Sequence, residues 1–167
     1  MKINPEHYPH ALFSEILPNL FQGGTDDNDV IQVAQDSYQR RSDMPFDSII
    51  TMYAWARPAD WSVQEHRYGF PDNLISDIDF TRLRRAVDFA HQQWKSGDRV
   101  LIRCQAGLNR SGLITALVLI KDGYSPSDAI DLIRAQRGED ALCNHHFEQW
   151  LLTSAASFIS PPESLSA

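Results

Sequence analysis

The chain has 167 residues, a formal net charge of −7, 43% hydrophobic and 22% charged residues, a balance that suits one domain with a single core over 1–167. No apolar run approaches the length of a membrane span, and an acidic chain repels nucleic acid, which excludes a non-specific binder of phosphate backbones. The opening "MKINPEHYPHALF" lacks a basic segment followed by an apolar one, so it does not read as a secretion signal and a cytoplasmic location is the expected default.

"SEILPNLFQGG" (14–24) reads as one short strand region ending in a Gly-Gly turn. "DDNDVIQVAQDSYQRR" places acidic residues first and basic residues last, which suits the dipole of a short helix. "FDSIITMY" (46–53) reads as a buried strand, "WARPADW" as a loop, and "EHRYGF" (65–70) as a strand stopped by Pro71. "PDNLISDID" follows as a polar loop with three aspartates.

A helix is expected from Phe80 to Trp94, because Leu83, Ala86, Val87, Ala90 and Trp94 fall on one face; Gly97 ends it. "RVLIRC" (99–104) is continuously apolar over its centre, as a strand covered on both faces should be. "SGLITALVLIKDG" is apolar all round and suits a central buried helix. In "SPSDAIDLIRAQRG", Ser125 is an N-cap, Pro126 takes the first helical position and Asp128 stands three residues after the cap. A last helix runs from about Asn144 to Phe158. The ends, at about 1–10 and 159–167, are expected to fray. This order predicts an α/β domain: a central, mostly parallel twisted sheet of about 4–5 strands flanked by helices.

The chemistry concentrates in "RCQAGLNRSG", Arg103 to Gly112. A strand, a glycine-containing loop and a helix N-terminus form a common anion holder, with loop amides and helix dipole pointing at one spot. Gly107 can supply a backbone angle that other residues resist, and Arg110 can fork across two oxygens of a bound oxyanion. Ser111 lies in the first helical turn, near the cysteine sulfur if the loop curls back. Cys104 sits beside amides, helix terminus and guanidinium, all of which favour thiolate over thiol and make it a nucleophile. A thiolate facing a phosphate pocket points to phosphoryl transfer through a thiophosphate intermediate. The bland reading is a buried cysteine at a strand end followed by an ordinary turn. The loop is not a nucleotide P-loop, since GK[ST] is absent.

"CQAGLNRS" matches the C-x5-R-[S/T] signature of cysteine-based protein phosphatases, and the chain resembles their dual-specificity branch. "SEILPNLFQGG" resembles that branch's opening and "RAQRGEDALCNHHFEQWL" its closing pattern, so the resemblance runs over about 14–152. It implies a three-layer phosphatase fold with Cys104 as nucleophile. Arg110 and the amides of Gln105, Ala106, Gly107, Leu108, Asn109 and Arg110 would hold the phosphate. Ser111 would assist the departing thiolate, and no metal or cofactor is implied. It also calls for a general acid on an earlier loop. Asp72, 32 residues before Cys104 and just after Phe70-Pro71, resembles that acid best. Asp77 comes next, although Asp77 and Asp79 precede the Phe80 helix and suit caps.

The departure is Arg103, where the family usually has histidine. On an extended strand its side chain points away from Cys104, to pair with a carboxylate or brace the loop from behind. The loop interior carries no lysine, which together with the acidic chain favours phosphotyrosine, alone or with phosphoserine and phosphothreonine, over polyanionic substrates. Expected partners are phosphorylated proteins or peptides, with no nucleic acid and no membrane, and the monomer is the expected state. Two alternatives stand beside this: a phosphate-binding module without turnover, and a phosphatase of a non-protein phosphate such as a nucleotide or RNA 5′ end. Trp55, Arg57, Trp61, His66 and Tyr68 are candidates for the rim, with the core as the bland placement. His145 and His146 read as the start of the last helix. Cys143 reads as core-facing, and both cysteines are expected to stay reduced.

Overall fold

The structure is a computed structural model describing residues 11–25 and 45–160. The helix expected at 26–41 and the ends expected to fray lie outside these residues, except that 159–160 close the last helix. The strand region at 14–24 is two strands, β1 (Phe13–Leu17) and β2 (Leu20–Gly23), paired antiparallel. Pro18 and Asn19 make the turn, Asn19 taking a φ of 66°; proline has no N–H to pair and asparagine tolerates the left-handed region. β3 (Ser48–Thr51), β4 (Gln64–Arg67) and β5 (Val100–Arg103) complete a five-stranded sheet in the order β1-β2-β5-β3-β4. All pairs except β1–β2 are parallel, which fulfils the expected α/β class.

Side-chain alternation divides the sheet into two faces. Leu20, Ile50 and Ile102 enter the larger core with the buried faces of the helices, whereas Phe21, Ile49 and Leu101 join a smaller cluster with Phe46 and Val63. The helices are α1 (Phe80–Lys95), α2 (Arg110–Lys121), α3 (Pro126–Arg137) and α4 (His145–Ile159). α2 is the central one, packed against α1, α3 and α4. Every residue from Ser111 to Ile120 is buried, which explains its unpatterned apolar sequence. Truncating any of these leucines would cost about 2–5 kcal/mol, so α2 is a firm base for whatever its N-terminus holds.

Caps set the helix starts. Asp79 accepts from the Thr81 and Arg82 N–H groups at 2.9 and 3.1 Å, Ser125 from Asp128 at 3.2 Å, and Asn144 from His146 at 3.0 Å. Each such cap contributes about 1 kcal/mol. Gly23, Arg103 and Thr51 lie side by side in register at the ends of β2, β5 and β3. Parallel sheets place their ligand crevices at this carboxyl edge.

Candidate active site

Cys104 follows β5 and Arg110 opens α2, so residues 104–109 form the loop. Gly107 takes a φ of 74°, and a Cβ there would lie 2.6 Å from Arg137 Nη2 and against the Gly23–Gly24 backbone. Both the angle and the space require glycine. A Cβ on Gly24 would meet the Gln105 carbonyl at 2.8 Å, and Thr25 N–H donates to that carbonyl at 3.0 Å. The Gly-Gly turn after β2 is therefore a seat for the loop. The sulfur of Cys104, 2% exposed, lies 3.3 Å from Ser111 Oγ. Among the described residues, none of the N–H groups of Gln105, Ala106, Gly107, Leu108 and Asn109 donates to another residue. Unpaired backbone donors in a partly buried loop are rare and need a reason.

Arg110 points its Nη1 to the carbonyls of Met52 and Phe70, at 3.5 and 3.4 Å, and its guanidinium carbon sits 5.4 Å from the Tyr53 ring centre. Its Nε is buried with no hydrogen-bond partner among the described residues. Asn109 occupies the N-cap position of α2 yet makes no side-chain cap. Its amide donates instead to Asp72 Oδ2 at 3.0 Å, while its oxygen accepts from Asn144 N–H at 3.0 Å. Asn144 Nδ2 donates to the other oxygen, Asp72 Oδ1, at 2.8 Å. Both carboxylate oxygens are thus held by amides, one from the signature loop and one from the cap of α4. Asp79 caps α1 as its position suggested, whereas Asp77 does not cap that helix but binds the Leu74 N–H at 3.3 Å within the turn before it.

A cleft of about 450 Å³ lies over this arrangement, lined by Asp72, Asn73, Gln105, Asn109, Arg110, Cys143, Asn144, His145 and His146. Cys104 is buried and is not itself among the residues that line this cleft, although its neighbour Gln105 is. Two expectations are corrected here. Cys143 is half-buried and faces the cleft, its sulfur 3.5 Å from Asn109 Nδ2, because the Asp72–Asn109–Asn144 cluster draws its segment outward from the core. His145 and His146 do start α4, and they also line the cleft. Both cysteines are free thiols.

Arg103 points away from Cys104, as alternation requires. It is 1% exposed; Nε donates to Thr51 Oγ1 at 2.9 Å, and Nη2 donates to the Arg57 carbonyl at 2.8 Å and to Glu65 at 3.1 Å. Burial pushes the Glu65 carboxyl up, but hydrogen bonds from Thr51 and Ala59 and the charges of Arg67 and Arg103 outweigh it and hold it below the ordinary range. Arg137, at the end of α3, is 4% exposed and grips the loop itself. Its Nε donates to the Gly107 carbonyl at 3.1 Å, Nη1 to the Ala11 carbonyl at 2.8 Å and Ser14 Oγ at 3.2 Å, and Nη2 to the Leu12 carbonyl at 3.2 Å. Burial lowers its pKa to about 10, and the negative charge of a Cys104 thiolate opposes that fall. Gln22, buried in β2, donates to the same Gly107 carbonyl at 3.1 Å.

The expected rim is largely elsewhere. Trp55 and Trp61 are 85% and 81% exposed, so they belong neither to the core nor to the cleft lining. Tyr68 is buried and its hydroxyl accepts from Asp79 N–H at 2.7 Å. His66 stacks on Phe89, and burial, with the charges of Arg82 and Arg85, lowers its pKa. Arg57 contributes its carbonyl to Arg103. Sequence reasoning missed Gln22, Arg137, Asn109 as a bridge and Asn144. A signal existed for two of them: Arg137 continues the inward stripe Ile130–Ile133, and Gln22 interrupts the buried run of β2.

The catalytic-domain model of the dual specificity phosphatases matches residues 61–156. Tyrosine phosphatase 123R of Invertebrate iridescent virus 6 is 27% identical over 106 residues, covering 59% of this chain and 68% of the viral protein. Among solved structures, a mouse protein described as a dual specificity phosphatase, crystallised with zinc tungstate, superposes with a TM-score of 0.67 at 19% identity, covering 98% of this chain and 99% of that one. The human tyrosine phosphatase-like serine/threonine/tyrosine-interacting protein also gives 0.67 at 19% identity, covering 89% of this chain and 98% of that one. At such identities the superpositions speak for the fold.

Proposed function

The chain belongs to the dual specificity phosphatase family and is a phosphatase, and we propose that it hydrolyses phosphotyrosine, with phosphoserine and phosphothreonine as further substrates, in proteins through a phosphocysteine intermediate on Cys104. The observation that carries the mechanism is the loop: a buried thiol opens it, its five following N–H groups find no partner among the described residues, and Arg110, its Nε unpaired among those residues, closes it at the N-terminus of α2. A phosphoryl group would satisfy these donors, and they are preset for the charge that develops in transfer.

In the first step the Cys104 thiolate attacks phosphorus, the S–P bond forms and the ester P–O bond breaks. Asp72 gives its proton to the departing oxygen. In the second step water attacks phosphorus and loses a proton to Asp72, and the P–S bond breaks. Ser111 Oγ–H donates to the departing sulfur across the 3.3 Å contact. Asn109 and Asn144 orient the Asp72 carboxyl through one hydrogen bond to each oxygen. The uncharged loop interior, Gln105 to Asn109, supports a single phosphoryl group over a polyphosphate ligand.

The test is a pH–rate profile for aryl phosphate hydrolysis. Cys104→Ser is expected to abolish turnover, and Asp72→Asn to lower kcat about 100-fold with loss of the limb that reports the acid. Full activity of Cys104→Ser would end the mechanism, an unchanged profile in Asp72→Asn would remove Asp72 as the acid, and phosphopeptide binding without turnover would favour a binding module.

A further inference from the structure

A second cleft, of about 600 Å³, adjoins the first and shares His145 and His146 with it. Its walls come from the two segments that also hold the Asp72 clamp. Leu74 and Ile75 lie two and three residues after Asp72 in the chain, and His146, Gln149, Trp150 and Thr153 recur at helical spacing on one face of α4. Trp150 is fixed in place by stacking on Phe80, with ring centres 5.5 Å apart, and by an edge contact with Phe158 at 5.4 Å. Leu74 is 40% exposed although it stands on a turn tied by Asp77. No Asp, Glu, Lys or Arg lines this second cleft.

We infer that this groove is the seat of the polypeptide flanking the phosphorylated residue, and that it selects substrates with an aliphatic side chain within about three positions of that residue. The inference rests on the reading of the site as a protein phosphatase. Continuity with the catalytic cleft through His145 and His146 is what commits the groove to the substrate itself. From His146 to Thr153 the α4 face runs about 10 Å, room for about three residues of extended chain. A groove without Lys or Arg on a chain of net charge −7 is a poor seat for a nucleic-acid backbone, whose binding is dominated by cationic contacts. Leu74, Ile75 and Trp150 instead offer apolar surface to a side chain leaving water.

Phosphotyrosine peptides differing only at the flanking positions, leucine in one and serine in the other, test this against a small aryl phosphate. The leucine peptide is expected to have about tenfold higher kcat/KM, the effect of burying part of one aliphatic side chain. Leu74→Ser and Thr153→Glu should erase that preference and leave aryl phosphate hydrolysis unchanged. The same peptides titrated onto Cys104→Ser should show the preference in Kd. Equal kcat/KM and equal Kd for the two peptides overturn the inference. A 5′-phosphorylated oligonucleotide hydrolysed better than either peptide, with that advantage lost in Leu74→Ser, overturns it in favour of a nucleic-acid seat. Absence of aryl phosphate turnover would sink the phosphatase reading alone, because the Kd comparison still decides the groove.

Discussion

Two buried arginines flank the signature loop, and their surroundings differ in one decisive respect. Arg103 has a carboxylate partner in Glu65 at 3.1 Å and faces the smaller cluster, away from Cys104. Arg137 has only carbonyls, a hydroxyl and the loop around it, and among the described residues no carboxylate pairs with it. A buried positive charge left without a counter-ion is costly unless something compensates it. Among the described residues, the negative charge that raises the Arg137 pKa against burial is that of a Cys104 thiolate. The residue that stands where the family has histidine is thus a structural ion pair. The buried arginine that holds the signature loop, Arg137, comes from α3.

The largest effect should come from Arg137. Arg137→Met removes the guanidinium from the carbonyls of Ala11, Leu12 and Gly107, of which Leu12 keeps the Gly24 N–H and Gly107 keeps Gln22 Nε2, and the lost charged hydrogen bonds should cost about 3 kcal/mol of stability in a denaturant titration. It should also slow alkylation of Cys104 by iodoacetamide at neutral pH and lower kcat, because the loop loses the brace on its Gly107 carbonyl. Arg103→Met is next: a loss of about 3 kcal/mol from breaking a buried pair, with the alkylation rate of Cys104 held within about threefold. Equal slowing of alkylation in both variants would break the contrast between the two arginines.

Glu65→Gln sharpens the same contrast through pH. The Glu65 carboxyl is held below its ordinary value of 4.5 in the folded state, so its contribution is present above that value and is lost as pH falls through the lower folded value. The variant should therefore be about 2 kcal/mol less stable at neutral pH, the gap closing below about pH 4.5, as chemical denaturation at several pH values would show. A gap that persists into strong acid would remove the Glu65 charge from the account. The smallest effect concerns Asn109. Asn109→Ala should lower kcat about tenfold with little change in KM, and add almost nothing to Asp72→Asn, because the two act as a unit. Additive losses in the double variant would separate Asn109 from the acid.

Much of this was legible in the sequence because it depends on local chemistry. Continuous apolar runs gave β3 and β5, the 3.6-residue pattern gave α1, and Ser125-Pro126 gave the start of α3. The C-x5-R-S spacing gave the loop between β5 and α2, and the family resemblance singled out Asp72, which lines the cleft beside that loop. The hairpin within 14–24 was hidden because Leu-Pro-Asn-Leu joins two apolar runs without a glycine in the turn. The braces were less legible for a different reason. Gln22 lies 85 residues from Gly107, and Arg137 lies 123 residues from Ser14, contacts that only the sheet register and the packing of α3 against β1 bring about. Asn109 has the residue type and position of a helix cap, and only the approach of Asp72 diverts it.

The most direct measurement is rapid acid quench of the wild-type protein during aryl phosphate turnover, followed by mass spectrometry of the Cys104 peptide. A phosphoryl adduct on Cys104, absent from Cys143 and from Cys104→Ser, is the predicted result. Turnover that proceeds with no adduct on Cys104, and continues undiminished in Cys104→Ser, would contradict the account.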